Sequence, residues 1–213
     1  MLINHDQKFV FIHVQKNAGI SIEHTIKKHF PTTKVWHGRH GRASDGINEI
    51  GIEKWDQYYS FAFVRNPWDR MVSWYSMIQS AKKNLPFYKK WTKSPFESEL
   101  WNYAINNSND FESFLENCTD VIFDLGCYKS FAFNQMDYLT DEYGNIVVDY
   151  IGRFEDIDSE ILTILHTIGI KDFVFPQKNK SQHQHYRTYY SAHAQRIVEE
   201  RFSKDIQAFG YTF

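Results

Sequence analysis

Apolar residues come in short, dense runs in this chain. Phe9 to Val14 (FVFIHV) is broken only by His13, and Tyr59 to Val64 (YSFAFV) only by Ser60. Runs of this length, rich in Phe, Val and Ile, predict strands buried on both faces of a parallel sheet. Each is followed by a polar turn and then by apolar residues at helical spacing. After the first, Gln15 to Gly19 is the turn, and Ser21 to Phe30 reads as a helix with Ile22 and Ile26 on one face, ended by Pro31. After the second, Pro67 sits where a helix's first turn tolerates proline, and Trp68 to Ala81 continues as helix.

Further along, Ile47 to Trp55, Glu97 to Asn107 and Asp110 to Asn117 are expected as short helices. Tyr138 to Thr140 and Ile146 to Arg153 flank DEYGN and predict a hairpin. Asp158 is placed to cap a helix through Ile168, stopped by Gly169. Ser191 to Phe209 reads as one last helix, with Ile197, Val198, Phe202, Ile206 and Phe209 on one side. Alternating strands and helices without repeat or linker imply a single α/β domain over residues 1–213.

Composition adds bounds. A formal charge of -2 gives no bulk signal for nucleic acid, so any anion site must be local. Cys118 and Cys127 form no CxxC and complete no zinc pattern, so two reduced, partly buried thiols and no metal are expected. No apolar run reaches the roughly 18 residues of a membrane span, and MLINHDQK lacks the regions of a signal peptide. A cytoplasmic location is therefore the expectation.

The two strand–turn–helix units carry the chemistry. In the first, Lys16 lies in the turn, Gly19 permits close backbone approach, and Ser21 opens the helix. The N–H groups of a helix N-terminus, with its dipole, make an anion site. In the second, Arg65 ends the strand, where open α/β sheets place ligands, and Ser73 follows about two helical turns on. A guanidinium fork and a hydroxyl suit phosphate oxygens. Two such units imply one ligand with two anionic groups.

The segments HVQKNAGIS and VRNPWDRMVSWY resemble the sulfotransferases, in particular the carbohydrate (Golgi-type) group and its bacterial relatives. The family forms are IPKTAGTS and VRxPxxRxxSxY. The first is matched at Lys16, Ala18, Gly19 and Ser21, with Gln15, Asn17 and Ile20 departing from it. The second is matched throughout, at Arg65, Pro67, Arg70, Ser73 and Tyr75. YIGRFEDI, from Tyr150, and the tail from Asn179 to Phe213 extend the resemblance.

The resemblance implies a P-loop-like three-layer fold with a central, mainly parallel sheet flanked by helices. It implies a sulfuryl donor, 3′-phosphoadenosine 5′-phosphosulfate, whose product is the 3′,5′-bisphosphate, and no metal. Gln15 to Ser21 (Gln15, Lys16, Asn17, Ala18, Gly19, Ile20, Ser21) would hold the phosphosulfate. Arg65 and Ser73 would hold the 3′-phosphate, and Lys178, Lys180 and Ser181 would close over the nucleotide. Lys16 would stabilise the leaving phosphate.

The acceptor would carry a free hydroxyl, expected on an oligo- or polysaccharide, and an imidazole would deprotonate it. Relatives carry a histidine in an HGH or HxxA segment, which His40-Gly-Arg-Ala43 fits, with His37 the other candidate. Glu23 is a weaker alternative base, and His13 reads as a core residue. Arg39, Arg42 and the ring of Trp91 are candidates for holding the acceptor. Two rivals remain. A P-loop-type nucleotide kinase is disfavoured by the absence of GxxxxGK[ST]. A non-catalytic glycan-binding module on the same fold is disfavoured by the retained Lys16, Arg65, Ser73 and histidines.

Overall fold

The computed structural model describes residues 1–84, 98–171 and 184–213. The chain runs β1 (Leu2–Asn4), β2 (Phe9–Ile12), α1 (Gly19–His29), β3 (Lys34–Val35), α2 (Ala43–Ile50), α3 (Ile52–Trp55), β4 (Tyr59–Val64) and α4 (Pro67–Lys83). It continues through α5 (Glu99–Asn107), α6 (Phe111–Asn117), β5 (Ile122–Asp124), β6 (Cys127–Lys129), α7 (Met136–Leu139), β7 (Tyr150–Arg153) and α8 (Ile157–Thr167). It ends with α9 (Ala192–Arg201) and α10 (Ser203–Phe209). The described residues form two compact units, one within Met1–Arg65 and Asn134–Lys180, the other within Asn66–Phe133 and Ser181–Phe213.

The first unit is built on a five-stranded sheet in the order β3-β1-β2-β4-β7. The two predicted core strands pair in parallel, Phe9 with Tyr59 through Ile12 with Ala62, and β4 pairs in parallel with β7. β1 joins β2 and β3 antiparallel, so the five-stranded sheet is mixed, with β2, β4 and β7 as its parallel part. Period-two alternation puts Phe9 and Phe11 of β2 and Phe61 and Phe63 of β4 on one face. There they meet Ile22 and Ile26 of α1 and Ile161, Ile164 and Leu165 of α8, all essentially inaccessible. Phe11 stacks on Phe61 with ring centroids 5.2 Å apart. Each such ring contributes about 1.5–3 kcal/mol by burial, which holds α1 at a fixed height over the ends of β2 and β4.

Four sequence expectations are corrected. The helix placed at Ile47 to Trp55 begins earlier, at Ala43, and breaks at Gly51, whose φ of 80° no helix accommodates. The hairpin around DEYGN is reduced to its turn. Asp141 Oδ1 accepts from the Tyr143 and Asn145 amides, and Thr140–Ile146 is an isolated bridge. Tyr138 lies in α7, and Tyr150–Arg153 pairs with β4 instead, because a central parallel partner buries more apolar surface than a hairpin mate. α8 starts one residue before Asp158, with Asp156 at its N-cap, and Gly169 stops it with a φ of 93°. The last helix is two, α9 and α10, parted at Phe202, which is fully buried.

In the second unit α4 is capped by Asn66, whose side chain accepts from the Trp68 and Asp69 amides, with Pro67 in its first turn. Trp101 packs edge-on against Trp74 and Phe131 and so belongs to the aromatic core of this unit. β5 and β6 form a separate hairpin around Leu125 and Gly126, both at positive φ. Cys118 is buried, and burial pushes its thiol up to about 11. Cys127 is exposed rather than partly buried.

Candidate active site

In the first unit β2 ends at Ile12, and residues 13–18 turn the chain into α1. The turn is bought with backbone strain: Lys16 and Ala18 stand at φ 71° and 59°, the left-handed region that non-glycine residues avoid. Ala18 thereby becomes the N-cap of α1, and its carbonyl accepts from the Ser21 and Ile22 amides. The amides of Gly19 and Ile20 lie ahead of any helical acceptor. No acidic residue stands in this first turn, so the positive end of the helix dipole is uncompensated there. Gly19 is required by crowding, since a Cβ at this position would overlap the His13 ring, 1.9 Å from its Cδ2.

The two signature segments meet. Arg65, at the end of β4, donates from Nη1 to the Lys16 carbonyl at 3.0 Å. Its guanidinium lies 4.1 Å from the centroid of the Phe154 ring, the Phe of YIGRFEDI. Burial first, and the Arg65 charge second, lower the Lys16 ammonium to about 8. This strand-end cluster of cation, cation and helix N-terminus is suited to a polyvalent anion.

Gln135 is the residue that sequence reasoning missed. It is fully buried, its Oε1 accepts from the Arg65 amide (2.9 Å) and from Asn17 Nδ2 (2.8 Å), and its Nε2 donates to the Arg65 carbonyl (2.8 Å). Asn17 also donates to the Phe63 carbonyl at 2.6 Å. One amide side chain thus locks the turn of residues 13–18 to the end of β4. The only sequence signal for it was a Gln beside an Asn before α7.

The histidine loop lies against the same turn. His40 Nδ1 is 3.0 Å from the His13 carbonyl, and the two rings meet edge to face at 4.7 Å. A carbonyl only accepts, so Nδ1 carries the proton and Nε2 presents the lone pair. The surrounding protein, then His13, pushes His40 down to about 4, so it is neutral at pH 7. His37 instead pairs through Nε2 with Glu49 at 2.8 Å. The Met1 amino group donates to the carbonyls of Trp36, Gly38 and Arg39 and so holds the loop's backbone.

Glu23 collects charges from three sides. Its Oε1 accepts from Lys27 at 2.7 Å, and its Oε2 lies 3.2 Å from Arg39 Nε and 3.7 Å from His13 Nδ1. His13, Lys27 and Arg39 hold its carboxyl down to about 2. Arg39 is therefore engaged with Glu23, and Arg42 serves as the N-cap of α2, its amide donating to Asp45 at 2.7 Å.

The remaining motif residues are in the second unit. Arg70 is fully buried and donates to the Phe133 carbonyl at 2.8 Å. Ser73 is buried on α4, and Tyr75 packs against Phe111, Phe114 and Tyr189. Trp91, Lys178, Lys180 and Ser181 lie outside the described residues.

The chain belongs to the Sulfotransferase family, whose family model matches residues 1–212. A protein of Archaeoglobus fulgidus, described only as an uncharacterized protein, is 27% identical over 141 residues, covering 66% of this chain and 92% of that one. No solved structure matches the chain significantly. Among the described residues no helix is long and apolar enough to cross a membrane.

Proposed function

We propose that the protein transfers a sulfuryl group from 3′-phosphoadenosine 5′-phosphosulfate to an acceptor hydroxyl on a carbohydrate. The observation that carries this reading is the Arg65–Lys16 hydrogen bond, which joins the ends of β4 and of the turn that leads into α1. The fit is chemical: two cations, two helix-end amides and an uncompensated dipole match a ligand with phosphate at both ends.

In this reading residues 15–21 bind the phosphosulfate, with Lys16 beside the bridging oxygen. Arg65 binds the 3′-phosphate, and the motif adds Ser73. Lys178, Lys180 and Ser181 are assigned to the nucleotide on the resemblance alone, and Arg39, Arg42 and Trp91 to the acceptor likewise. The acceptor O–H gives its proton to His40 Nε2 as its oxygen bonds to sulfur. The S–O bond to the 5′-phosphate breaks in line, and the electron pair leaves with the phosphate. Lys16 meets that developing charge, which is electrostatic help aimed at the transition state. His40 is favoured over His37 because its lone pair is on the unengaged nitrogen, whereas His37 Nε2 faces a carboxylate.

The test is calorimetric binding of 3′-phosphoadenosine 5′-phosphate, followed by a labelled-donor assay across oligo- and polysaccharides with mass spectrometry of the product. Lys16→Ala is expected to abolish transfer with the fold retained, and His40→Ala to cost about 10²–10⁴-fold in rate. A protein that binds ATP with Mg²⁺ but not the bisphosphate is a kinase, and this reading then fails.

A further inference from the structure

Glu23 is a buried carboxylate that none of these chemical steps uses. Its side chain is 10% exposed, one turn into the helix that opens the donor site. It faces three cationic or ionisable groups: Lys27 on its own helix, His13 at the end of β2, and Arg39 from the histidine loop. Two of these bracket His40. Arg39 precedes it in sequence, and His13 supplies the carbonyl that holds its Nδ1 and the ring face against which it rests. The Met1 amino group already fixes the loop's backbone at residues 36, 38 and 39. What that anchor does not set is the rotation and tautomer of the His40 ring.

We propose that Glu23 is a positioning residue that acts through His13 and Arg39 to hold the His40 imidazole with Nδ1 toward the protein and Nε2 toward the acceptor. The inference rests on the sulfotransferase reading for what His40 does, but not for how it is held. The Lys27 leg is an ordinary i,i+4 pair and contributes little. The Arg39 leg is discounted too, since that side chain is 55% exposed. The buried His13 leg therefore carries most of the effect. The Glu23 carboxylate, 3.7 Å from His13 Nδ1, favours a proton on that nitrogen by its charge rather than by a hydrogen bond, and the His13 ring so oriented is the face against which His40 rests.

The experiment uses the full chain labelled with 15N-histidine, with the His40 signals assigned through His40→Gln. In the wild type His40 is expected as a single Nδ1–H tautomer. In Glu23→Gln, an isosteric change that removes only the charge, the Nε2–H population rises at least about threefold, and Arg39→Gln produces a smaller rise. Glu23→Asp restores part of the wild-type signature. The affinity for 3′-phosphoadenosine 5′-phosphate stays within about twofold in each, since no donor-site group is altered. An unchanged His40 tautomer in Glu23→Gln overturns the proposal. Loss of bisphosphate binding in the wild type would overturn the sulfotransferase reading instead, with the tautomer result still deciding this one.

Discussion

Lys16 gives the sharpest quantitative expectation. Burial and the Arg65 charge hold its ammonium near 8 instead of the ordinary 10.5. A bound 5′-phosphate replaces the lost hydration and returns the group toward 10.5 or above. The ligand's phosphates have second pKa values near 6 and are already dianionic above pH 7, and Arg65 stays charged throughout. Between pH 7 and 9, Lys16 is therefore the group assigned to the phosphates whose charge changes, since an ordinary lysine stays charged until about 10.4. In the free protein the ammonium form falls from roughly nine-tenths at pH 7 to roughly one-tenth at pH 9. Bisphosphate affinity should thus drop roughly tenfold across those two units, or about 1.4 kcal/mol, and binding at pH 9 should take up close to one proton. Calorimetry in two buffers of different ionisation enthalpy measures both. Lys16→Met should abolish the uptake. The sign for stability is the reverse. A cation whose folded pKa is depressed destabilises the ligand-free fold below 8, so Lys16→Met should raise the melting temperature at pH 7, by no more than about 3 kcal/mol in stability. Affinity independent of pH from 7 to 9, with no proton uptake, would refute the assignment of Lys16 to the phosphate.

Gln135→Ala removes the side-chain partner of the Arg65 amide and carbonyl and one of the two bonds donated by Asn17 Nδ2, all in a buried site. At about 1–3 kcal/mol for each unsatisfied group that cannot reach water, a loss of about 2–4 kcal/mol in urea unfolding and weaker bisphosphate binding are expected. Gly19→Ala drives a methyl into the His13 ring. A loss of about 1–3 kcal/mol, with a displaced His13 resonance, is the expected result, and wild-type stability would show that the turn is looser than described. Glu23 sits near 2 rather than 4.5, so its contribution is complete above about 4.5 and is lost as the pH falls toward 2. Thermal melts between pH 5 and 2 should be less steep in pH for Glu23→Gln than for the wild type.

Which parts were legible in the sequence follows from how far apart the interacting residues lie. β4 was read to the residue, and β2 to within its last two, because a dense apolar run is its own signal. The two signature segments were legible for the same reason, since turn, cation and helix start are consecutive. The β5–β6 hairpin was not, because its turn is Leu-Gly rather than Asn-Gly and Leu125 adopts a positive φ that its type does not announce. The break at Phe202 hid inside an unbroken apolar stripe. Gln135 is the clearest case. Its bonds reach back 70 and 118 residues, and nothing near it in the chain differs from an ordinary helix approach. The histidine loop is a mixed case. The HxxA resemblance favoured His40 over His37, three residues away, but the carbonyl 27 residues upstream and the carboxylate of Glu49 that distinguish their surroundings are not visible locally. Local sequence therefore specifies the two cation-bearing turns to which the proposed donor is assigned. In the same reading, the side chain assigned the acceptor's proton is set by contacts made only once β2, α1 and the histidine loop have come together, and Glu23, itself on α1, reaches His13 and Arg39.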